Sequence, residues 1–430
     1  MTSEQTLRPT RAYVWVWLPD AVEPVVAGRL QSIDDRLVFN YGQSYLNRKE
    51  GIALYLPELP LQRGPLQPRA GLTMAGCLRD AAPDAWGRRV ILNRHFGVAS
   101  RSMDTADLHE LTYLLESDSD RVGALDFQPS ATAFVSRSTA DATLDELQTA
   151  ADLVEAGIPL PTALNEALMH GTSLGGARPK ASIRTDRHTW IAKFSSSSDL
   201  YDIVKGEFLA MRLAAAVGLD VAAVRLERAA GKDVLLIRRF DRTCSERGWI
   251  RTGVVSALTL LGLDELMARY ASYQDLAELI RHRFEHPRQT LRELYARMVF
   301  NVLCGNTDDH ARNHAAFWDG YALSLTPAYD ICPQSRAGNE ATQAMLIHGN
   351  DRRSRLATCL DTAPDFLLDA DAAKNLIADQ IRGVVAGFDA VADEARLSPV
   401  DRELFRRRSF LNPSIFDGAP DELRQITTFG

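Results

Sequence analysis

The chain has 430 residues, of which 46% are hydrophobic and 24% charged, with ordinary numbers of Gly (27) and Pro (19). This composition excludes a wholly disordered chain and a collagen-like or low-complexity protein, and the length favours two or three domains, or one domain with a large insertion. Lys and Arg number 49 and Asp and Glu 56, for a net charge of −7, which argues against a strongly basic nucleic-acid binder but not against a local basic patch.

Five widely spaced cysteines without a CxxC pair favour reduced thiols in a cytoplasmic protein over a disulfide framework or a cysteine zinc site. The longest uncharged apolar run, Thr252 to Leu263, is too short to cross a bilayer, and the N-terminus lacks the pattern of a signal peptide. We therefore expect a cytoplasmic protein that does not enter a membrane.

Residues 1–130 are predicted to form an α+β module, because β-rich runs separated by turn residues precede two helical stretches. The strands are expected at Tyr13–Trp17, Val25–Leu30, Leu37–Tyr41 and Ile52–Leu61, and the helices at Ala85–Phe96 and Asp104–Glu116.

The middle of the chain is predicted to begin with a polar linker and to continue as strands and helices. In chain order we expect a linker at Ser130–Thr143, a helix at Leu144–Ala156, a glycine-rich stretch from Gly171, a hairpin of Ala181–Arg184 and Thr189–Phe194, a loop at Ser195–Ser198, a helix at Ile203–Val217 ended by Gly218, and strands at Val221–Arg228 and Asp233–Phe240. After Gly253 the pattern is mostly helical, with one apolar helix through Leu291–Leu303, a short alternating segment at Tyr321–Thr326, and further helices to about Arg408.

The strongest chemical signal is the segment Asn306–Asn313, which is predicted to form a loop after the apolar helix. Asp308 and Asn313 are five residues apart, and Asp330 follows seventeen residues later. Phosphoryl transfer from ATP requires a carboxylate that accepts the proton of the acceptor hydroxyl, and it requires oxygen ligands for Mg²⁺, typically an amide and a second carboxylate. Each residue alone is typical of a turn, but their order and spacing favour this catalytic interpretation.

A second signal is Lys193, which interrupts an apolar strand. A kinase uses such a lysine to hold the α- and β-phosphates of ATP, and a glutamate on a helix orients it. Glu207, on the next predicted helix, is the expected partner. The alternative is a lysine on an edge strand that points to solvent.

A third signal is the glycine-rich stretch from Gly171 to Lys180, where glycines allow backbone N–H groups to approach phosphate oxygens. It is not a Walker A loop, because Pro179 precedes Lys180 and no Gly-Lys-Ser/Thr follows. A glycine-rich stretch alone is more often only a turn.

Two other interpretations concern the same loop. His310 and His314 lie near Asp308 and Asp309, so a metallohydrolase is an alternative, although the other histidines are scattered. Cys304 precedes the loop, but its place on an apolar helix face predicts a packed thiol rather than a nucleophile.

Taken together, these segments resemble the HipA family, the kinase toxins of bacterial type II toxin–antitoxin pairs. The matching motifs are Thr172–Lys180, the strand lysine Lys193, Arg239–Arg242, Asn306–Asn313 and Pro327–Asp330, with Ala82–Arg88 and Gly123–Leu125 resembling the N-terminal module of the family. The resemblance implies an α+β, two-lobed fold related to protein kinases. Its expected parts are an N-terminal β-rich module at 1–130, a kinase N-lobe at 131–240 and a helical C-lobe at 241–430.

The resemblance also implies ATP and Mg²⁺ as cofactors and assigns roles to residues. Asp308 is the implied catalytic base, Asn313 and Asp330 the implied Mg²⁺ ligands, and Ser173 the implied site of autophosphorylation, which ejects its loop and stops the enzyme. The implied nucleotide-binding residues are Gly175, Gly176, Ala177, Arg178, Pro179, Lys180, Lys193, the hinge residues Arg238, Arg239 and Phe240, and His310, Asn313, Tyr329 and Asp330. Some members of the family have a glutamate where this chain has Arg238.

The family implies two kinds of partner. One is a HipB-like helix-turn-helix antitoxin that supplies most contacts to operator DNA, in agreement with the acidic charge of this chain. The other is a protein substrate, an aminoacyl-tRNA synthetase, whose phosphorylation would stop growth. Two further functions remain open at this stage: a small-molecule phosphotransferase, and a catalytically silent co-repressor module. Arg406–Arg408 could contact DNA, but a solvated helix end is the preferred interpretation.

Overall fold

The computed structural model describes residues 9–426 except 98–99, 101–102, 138–141, 162–163, 165–171, 197–198, 335–337 and 339. The predicted start of the glycine-rich stretch at Gly171, part of the predicted linker and part of the Ser195–Ser198 loop lie outside the described residues. The strands are β1 Arg11–Val16, β2 Val25–Ile33, β3 Arg36–Tyr41, β4 Leu125–Gln128, β5 Lys180–Arg184, β6 Thr189–Phe194, β7 Val224–Ala229, β8 Lys232–Arg238, β9 Arg242–Ser245, β10 Gly248–Arg251, β11 Gly253–Ser256, β12 Ala315–Trp318 and β13 Leu323–Leu325.

The α-helices range from single turns to a 25-residue helix near the C-terminus. They are Gln43–Leu46, Gly76–Arg79, Ala85–Phe96, Glu110–Glu116, Leu144–Glu155, Ile203–Ala216, Ala257–Leu260, Tyr273–Arg283, Pro287–Cys304, Leu356–Thr362, Ala370–Glu394, Pro399–Leu404 and Asp421–Gln425. Among the described residues, no helix combines the length and the apolar character that a membrane span requires.

The N-terminal module is built on an antiparallel sheet with the order β3-β2-β1-β4. Strands β1, β2 and β3 confirm the first three strands predicted from the sequence. The fourth predicted strand, Ile52–Leu61, is wrong: this segment is irregular, with a single bridge between Tyr55 and Leu59, because Pro57 and Pro60 have no N–H to donate to a ladder.

The predicted helix Asp104–Glu116 is divided into two elements. A 3₁₀ turn, Thr105–Asp107, is capped by the Asp104 carboxylate, and a separate helix, Glu110–Glu116, begins where the His109 ring accepts a hydrogen bond from the Leu111 amide. Each cap satisfies backbone N–H groups at the start of its own element. The chain therefore starts helical structure twice instead of continuing one helix.

A second antiparallel sheet, with the order β5-β6-β8-β7, forms the lobe that carries the lysine strand. The predicted hairpin of β5 and β6 is confirmed. Alternation along β6 places Trp190, Ala192 and Phe194 on one face, in a small core with the helix Leu144–Glu155. Since side chains alternate across a strand, Lys193 points to the opposite face, towards the helix Ile203–Ala216.

The C-terminal part is organised around the buried helix Pro287–Cys304. Its predicted apolar positions, among them Leu291, Met298 and Val302, are at most 1% exposed, and it ends at Gly305 in a left-handed conformation, as expected for a C-cap. The expectation of mostly helical structure after Gly253 is confirmed, and the alternating segment contains β13, but the pairing of β11 with β12 across some sixty residues of intervening chain is not expected from the sequence. A strand defined by so distant a partner has no local periodicity to reveal it.

Two of the three arginines in the basic segment Arg406–Arg408 form ion pairs. Arg406 forms an ion pair with Asp389, and Arg407 forms one with Glu403. Cys304 is fully buried on its helix, which confirms the packed thiol.

Candidate active site

The centre of the candidate site is Lys193, on β6. Its ammonium group donates a hydrogen bond to Glu207 Oε1 at 2.6 Å and forms a second ion pair with Asp330. The residue is only 8% exposed, and a buried lysine requires such compensation. The predicted Lys193–Glu207 pair is therefore confirmed, and the alternative of a solvent-facing lysine is wrong.

The charges at this centre are strongly coupled. Burial alone would lower the pKa of Lys193, but Asp330 and Glu207 outweigh it, so this pKa is raised. Burial raises the pKa of Glu207 in spite of Lys193. For Asp330, burial would raise the pKa, but Lys193 and Lys180 lower it to about 2. Asp330 is thus an ionised carboxylate at neutral pH.

The backbone holds Asp330 in a defined position. Ala328 donates a hydrogen bond to Asp220 O at 2.8 Å and accepts one from Ala222 N at 2.9 Å, so the segment before Asp330 is tied to the chain that enters β7. Asp330 itself has φ of 60°, a left-handed conformation that is uncommon for a residue other than glycine. Such conformations cluster at functional sites.

The predicted catalytic loop lies against the same centre. Asp308 is exposed, whereas Asn313 is buried and donates from Nδ2 to the Asp308 main-chain oxygen at 3.2 Å. Partial desolvation of its carboxyl by the surrounding protein, together with Asp330 and Asp309, raises the pKa of Asp308, although His310 opposes this shift. The mutual influence of these groups places them in one electrostatic environment.

Asp309, next to Asp308, has a different environment. It is buried, accepts a hydrogen bond from Tyr273 and lies 2.9 Å from His314 Nε2. This triad ties the loop to the helix Tyr273–Arg283. Among the described residues, no group of three or more His, Cys, Asp or Glu side chains could hold a metal ion.

The glycine-rich loop borders the centre from the other side. Lys180 is paired with Lys193 across β5 and β6 and donates a hydrogen bond to Gly175 O. Burial, and then Lys193, lowers the pKa of Lys180 to about 8. Arg178 makes a bidentate pair with Asp199 at 2.8 and 2.6 Å.

The remaining members of the predicted loop differ in exposure. Gly175 and Ala177 are exposed, Gly176 is partly exposed with φ of 99°, and Pro179 is buried. Ser173 is 1% exposed, and its hydroxyl has no hydrogen-bond partner among the described residues.

The predicted hinge residues point in three directions. Arg238 is exposed, Arg239 is buried against Asp120 and Asp241, and the Phe240 ring packs 5.7 Å from the ring centroids of Phe317 and Tyr329. The amides of Arg238 and Arg239 donate to Ala223 O and Thr189 O, each at 2.8 Å. These two amides therefore do not face a ligand.

The other predicted side chains complete the loop region. The Tyr329 hydroxyl donates to Arg312 O at 2.7 Å, which joins the segment of Asp330 to the catalytic loop. His310 is partly buried, and its Nδ1 has no hydrogen-bond partner among the described residues.

Sequence reasoning missed two contributions from the N-terminal module. Asp84 contacts both the glycine-rich loop and Arg312 of the catalytic loop, and Asp120 is buried between Arg239 and Arg242. The only signal for Asp84 was its place in the motif Ala82–Arg88, which gave no role.

Comparison with known proteins assigns the chain to a family. The model described as "HipA-like C-terminal domain" matches residues 172–388, just over half of the chain, and the one described as "HipA N-terminal domain" matches residues 16–128. The chain belongs to the HipA family. The first match contains every predicted catalytic and nucleotide-binding residue, and the second contains Asp84 and Asp120.

Two curated proteins are similar to parts of this HipA family chain. A kinase-named protein of Sinorhizobium fredii, Y4mE, is 31% identical over 147 residues, which are 33% of this chain and 33% of that protein. The serine/threonine-protein kinase toxin HipA of Shewanella oneidensis is 25% identical over 159 residues, which are 33% of this chain and 36% of that protein. The matched segments thus span only about a third of the length of these relatives.

A solved structure extends the similarity to the whole fold. One chain in the complex of HipA, HipB and operator DNA from Shewanella oneidensis MR-1 matches with a TM-score of 0.68 and 19% identity, covering 96% of this chain and 99% of that one. This likeness confirms the α+β, kinase-like HipA fold, with its N-terminal β-rich module and helical C-lobe.

Proposed function

We propose that this protein is an ATP- and Mg²⁺-dependent protein kinase. The observation that carries the proposal is Lys193, which is held between Glu207 and Asp330, and the charge of Asp330 in turn acts on the carboxyl of Asp308. A protein kinase uses this combination of a strand lysine, a helix glutamate and a metal-binding aspartate to position the phosphates of ATP.

The residues of the proposed nucleotide site have different roles. Lys193 and Lys180 supply positive charge for the phosphates of ATP, while the backbone N–H groups of Gly175, Ala177 and Arg178 would cover them, since the Gly176 amide is already bonded to Asp84. Asp308 is exposed and its raised pKa favours proton uptake, so we assign it as the base that orients and deprotonates the acceptor hydroxyl. The segment Arg238–Phe240 would meet the adenine through main-chain groups other than the Arg238 and Arg239 amides, which are already paired, with His310 and Tyr329 lining the nucleotide site.

Asp330 and Asn313 fit the requirements of a magnesium ion. Mg²⁺ in kinases is bound through one or two protein oxygens, phosphate oxygens and water, not through a cluster of three acidic side chains. Asp330 is ionised, and Asn313 uses its amide nitrogen towards Asp308, which leaves the amide oxygen for a ligand. When bound, the ion would neutralise phosphate charge.

We further propose that the acceptor is a serine or threonine hydroxyl of an aminoacyl-tRNA synthetase and that its phosphorylation arrests growth. Family membership and the similarity to a protein named serine/threonine-protein kinase toxin support this assignment. Within this scheme, residues 131–240 are the N-lobe and residues 241–430 the C-lobe that carries catalysis.

The proposed regulation has two parts. A HipB-like antitoxin would bind this protein and carry most contacts to operator DNA, since the similar solved structure is a HipA–HipB–operator complex and this chain is acidic. Ser173 would be the autophosphorylation site. Because Ser173 is buried, a phosphoryl group there, with its charge of nearly −2, would force the loop outwards.

Incubation with radiolabelled ATP and Mg²⁺, with and without purified synthetases, tests the kinase assignment. We expect wild type to label Ser173 and a synthetase, and Asp308→Asn to label neither. Phosphopeptide mapping identifies the sites. Absence of label with wild type and every synthetase would refute the assignment, and label found only away from Ser173 would refute the proposed autophosphorylation site.

A further inference from the structure

The glycine-rich loop is held by the N-terminal module as well as by its own lobe. The Asp118 amide donates to Thr172 Oγ1 at 3.0 Å, and the Trp86 indole N–H donates to Lys180 O at 3.1 Å. At Gly87 an added Cβ would lie 1.8 Å from Thr172 O, so the helix Ala85–Phe96 contacts the loop without space for a side chain. The two ends of the loop are thus fixed to one module.

Asp84 contacts the middle of the same loop. Its Oδ2 accepts a hydrogen bond from the Gly176 amide at 2.6 Å, and the adjacent Trp86 amide donates to Gly176 O at 3.3 Å. Gly176 has φ of 99°, so glycine suits this position. Both backbone groups of Gly176 are therefore hydrogen-bonded to the segment that contains Asp84.

The same carboxylate reaches the catalytic loop. Arg312 lies 3.0 Å from Asp84 Oδ2 and donates to Asp84 Oδ1 at 3.2 Å, although the two residues are 228 positions apart. Arg312 lies between His310 and Asn313, and its other carboxylate partner is the exposed Glu265, at 3.1 Å. Burial would raise the pKa of Asp84, but Arg312 and the Gly176 amide lower it.

We infer that Asp84 is a positioning residue that clamps the glycine-rich loop to the catalytic loop and thereby closes the nucleotide cleft. The N-terminal module then has a direct part in the reaction site, because one of its carboxylates sets the distance between the two loops that enclose the phosphates. The role in nucleotide binding rests on the proposed kinase function, whereas the clamp itself does not.

Residue-resolved hydrogen–deuterium exchange tests the clamp without nucleotide. Asp84→Ala should accelerate exchange of the Gly176 amide by at least about tenfold, since a hydrogen bond to a charged acceptor is lost. Asp84→Asn keeps an acceptor oxygen and should show a smaller effect. Glu265→Gln is the matched control, because it removes a carboxylate partner of Arg312 without changing a contact of the glycine-rich loop. In this variant the Gly176 amide should exchange as in wild type.

The KM for ATP distinguishes a role of Asp84 in positioning the glycine-rich loop from a general contribution to stability. With ATP and Mg²⁺, Asp84→Ala should raise KM for ATP about tenfold in an enzyme that is still folded at the assay temperature, Asp84→Asn should recover part of this loss, and Glu265→Gln should behave as wild type. An unchanged Gly176 exchange rate in Asp84→Ala, equal acceleration in Glu265→Gln, or an unchanged KM in an active Asp84→Ala enzyme would overturn the inference. If wild type neither binds nor uses ATP while Gly176 still responds to Asp84→Ala, the proposed function fails and the clamp stands.

Discussion

Lys180 and Lys193 lie directly opposite each other on neighbouring strands, and both are buried. Like charges in this arrangement repel each other, and within the part of the chain that the structure describes only Lys193 has two carboxylate partners close enough to pair with it. The pKa values divide accordingly: that of Lys193 is raised, while burial and Lys193 lower that of Lys180 to about 8. The pair therefore includes one permanent cation and one that titrates near physiological pH.

This difference predicts a pH-dependent affinity for ATP. Above pH 8 the free protein loses the charge of Lys180, so ATP should bind roughly tenfold more weakly at pH 9.5 than at pH 7. The free energy of unfolding should change in the opposite direction. Because folding lowers the pKa of Lys180, the unfolded chain binds the proton more readily than the folded protein. Lys180 therefore adds stability as pH rises from 8 to about 10.4.

Calorimetric titration with ATP and Mg²⁺ at the two pH values measures the affinity, and Lys180→Arg is the control. Arginine remains charged at both pH values, so this variant should lose most of the pH dependence. An affinity that falls equally in wild type and in Lys180→Arg would contradict the assignment to Lys180.

The Lys193–Glu207 pair predicts a separation of stability from activity. Lys193→Met leaves a carboxyl that is 3% exposed without its nearest partner, and we expect a loss of about 3 kcal/mol in the free energy of unfolding together with the loss of ATP binding. The double variant Lys193→Met/Glu207→Leu should recover most of that stability, because the buried Glu207 carboxyl is removed together with its partner, but it should not bind ATP. Urea unfolding and ATP titration measure the two quantities. A double variant less stable than the single one would be evidence against a compensated buried pair.

Substitutions of Asp308 and Asp330 are expected to affect different steps, turnover and ATP binding respectively. Asp330→Ala should abolish magnesium-dependent ATP binding, since it removes a proposed ligand of the ion that bridges the phosphates. Asp308→Asn should keep ATP affinity near that of wild type while it removes turnover, because a base acts on the acceptor hydroxyl. Calorimetry gives the affinity, and label transfer gives the turnover. Unchanged affinity in Asp330→Ala would refute its assignment.

The adjacent carboxylate, Asp309, should be structural. Asp309→Ala leaves the buried Tyr273 hydroxyl and His314 without their shared acceptor, and we expect a loss of about 3 kcal/mol in the free energy of unfolding. Asp308→Asn, at an exposed position, should change stability by less than about 0.5 kcal/mol. Urea unfolding of the two variants compares the free energies of unfolding for substitutions at adjacent residues. Equal stabilities would show that the buried triad does not hold the loop.

The contacts of the candidate site that the sequence predicts correctly are those encoded by local patterns. Lys193 stands out because it interrupts an alternating apolar strand, and Glu207 follows on the next helix in reach of it. Asp84 and Arg312 could not be connected in this way, since 228 positions separate them and neither departs from a local pattern. Contacts of this kind arise when separate elements pack together, and a single sequence contains no period or spacing that records them.

The same limit applies to the hinge. The motif around Arg239 predicts a backbone contact with adenine but not the place of the side chain, which is 1% exposed and lies 3.1 Å from Asp120 and 2.8 Å from Asp241. Asp120 is supplied by the N-terminal module, and it also accepts a hydrogen bond from Ser182 Oγ on β5 at 2.7 Å. The hinge is therefore fixed by a buried ionic cluster that no motif indicates.

This cluster predicts how the protein responds to acid. Burial would raise the pKa of Asp120, but Arg239 and Arg242 lower it far below its ordinary range. A carboxyl whose pKa is depressed on folding adds stability above its unfolded value of about 3.9, and that stability is lost as pH falls towards the lower folded value. Asp120→Asn should cost about 3–5 kcal/mol at pH 7, because two buried guanidinium groups lose a charged partner, and the difference from wild type should shrink below about pH 4. Urea unfolding between pH 3 and pH 7 measures this dependence, with Asp186→Asn, at an exposed aspartate, as the control that should follow wild type throughout. A constant difference between Asp120→Asn and wild type across that range would mean that Asp120 is not charged in the folded protein.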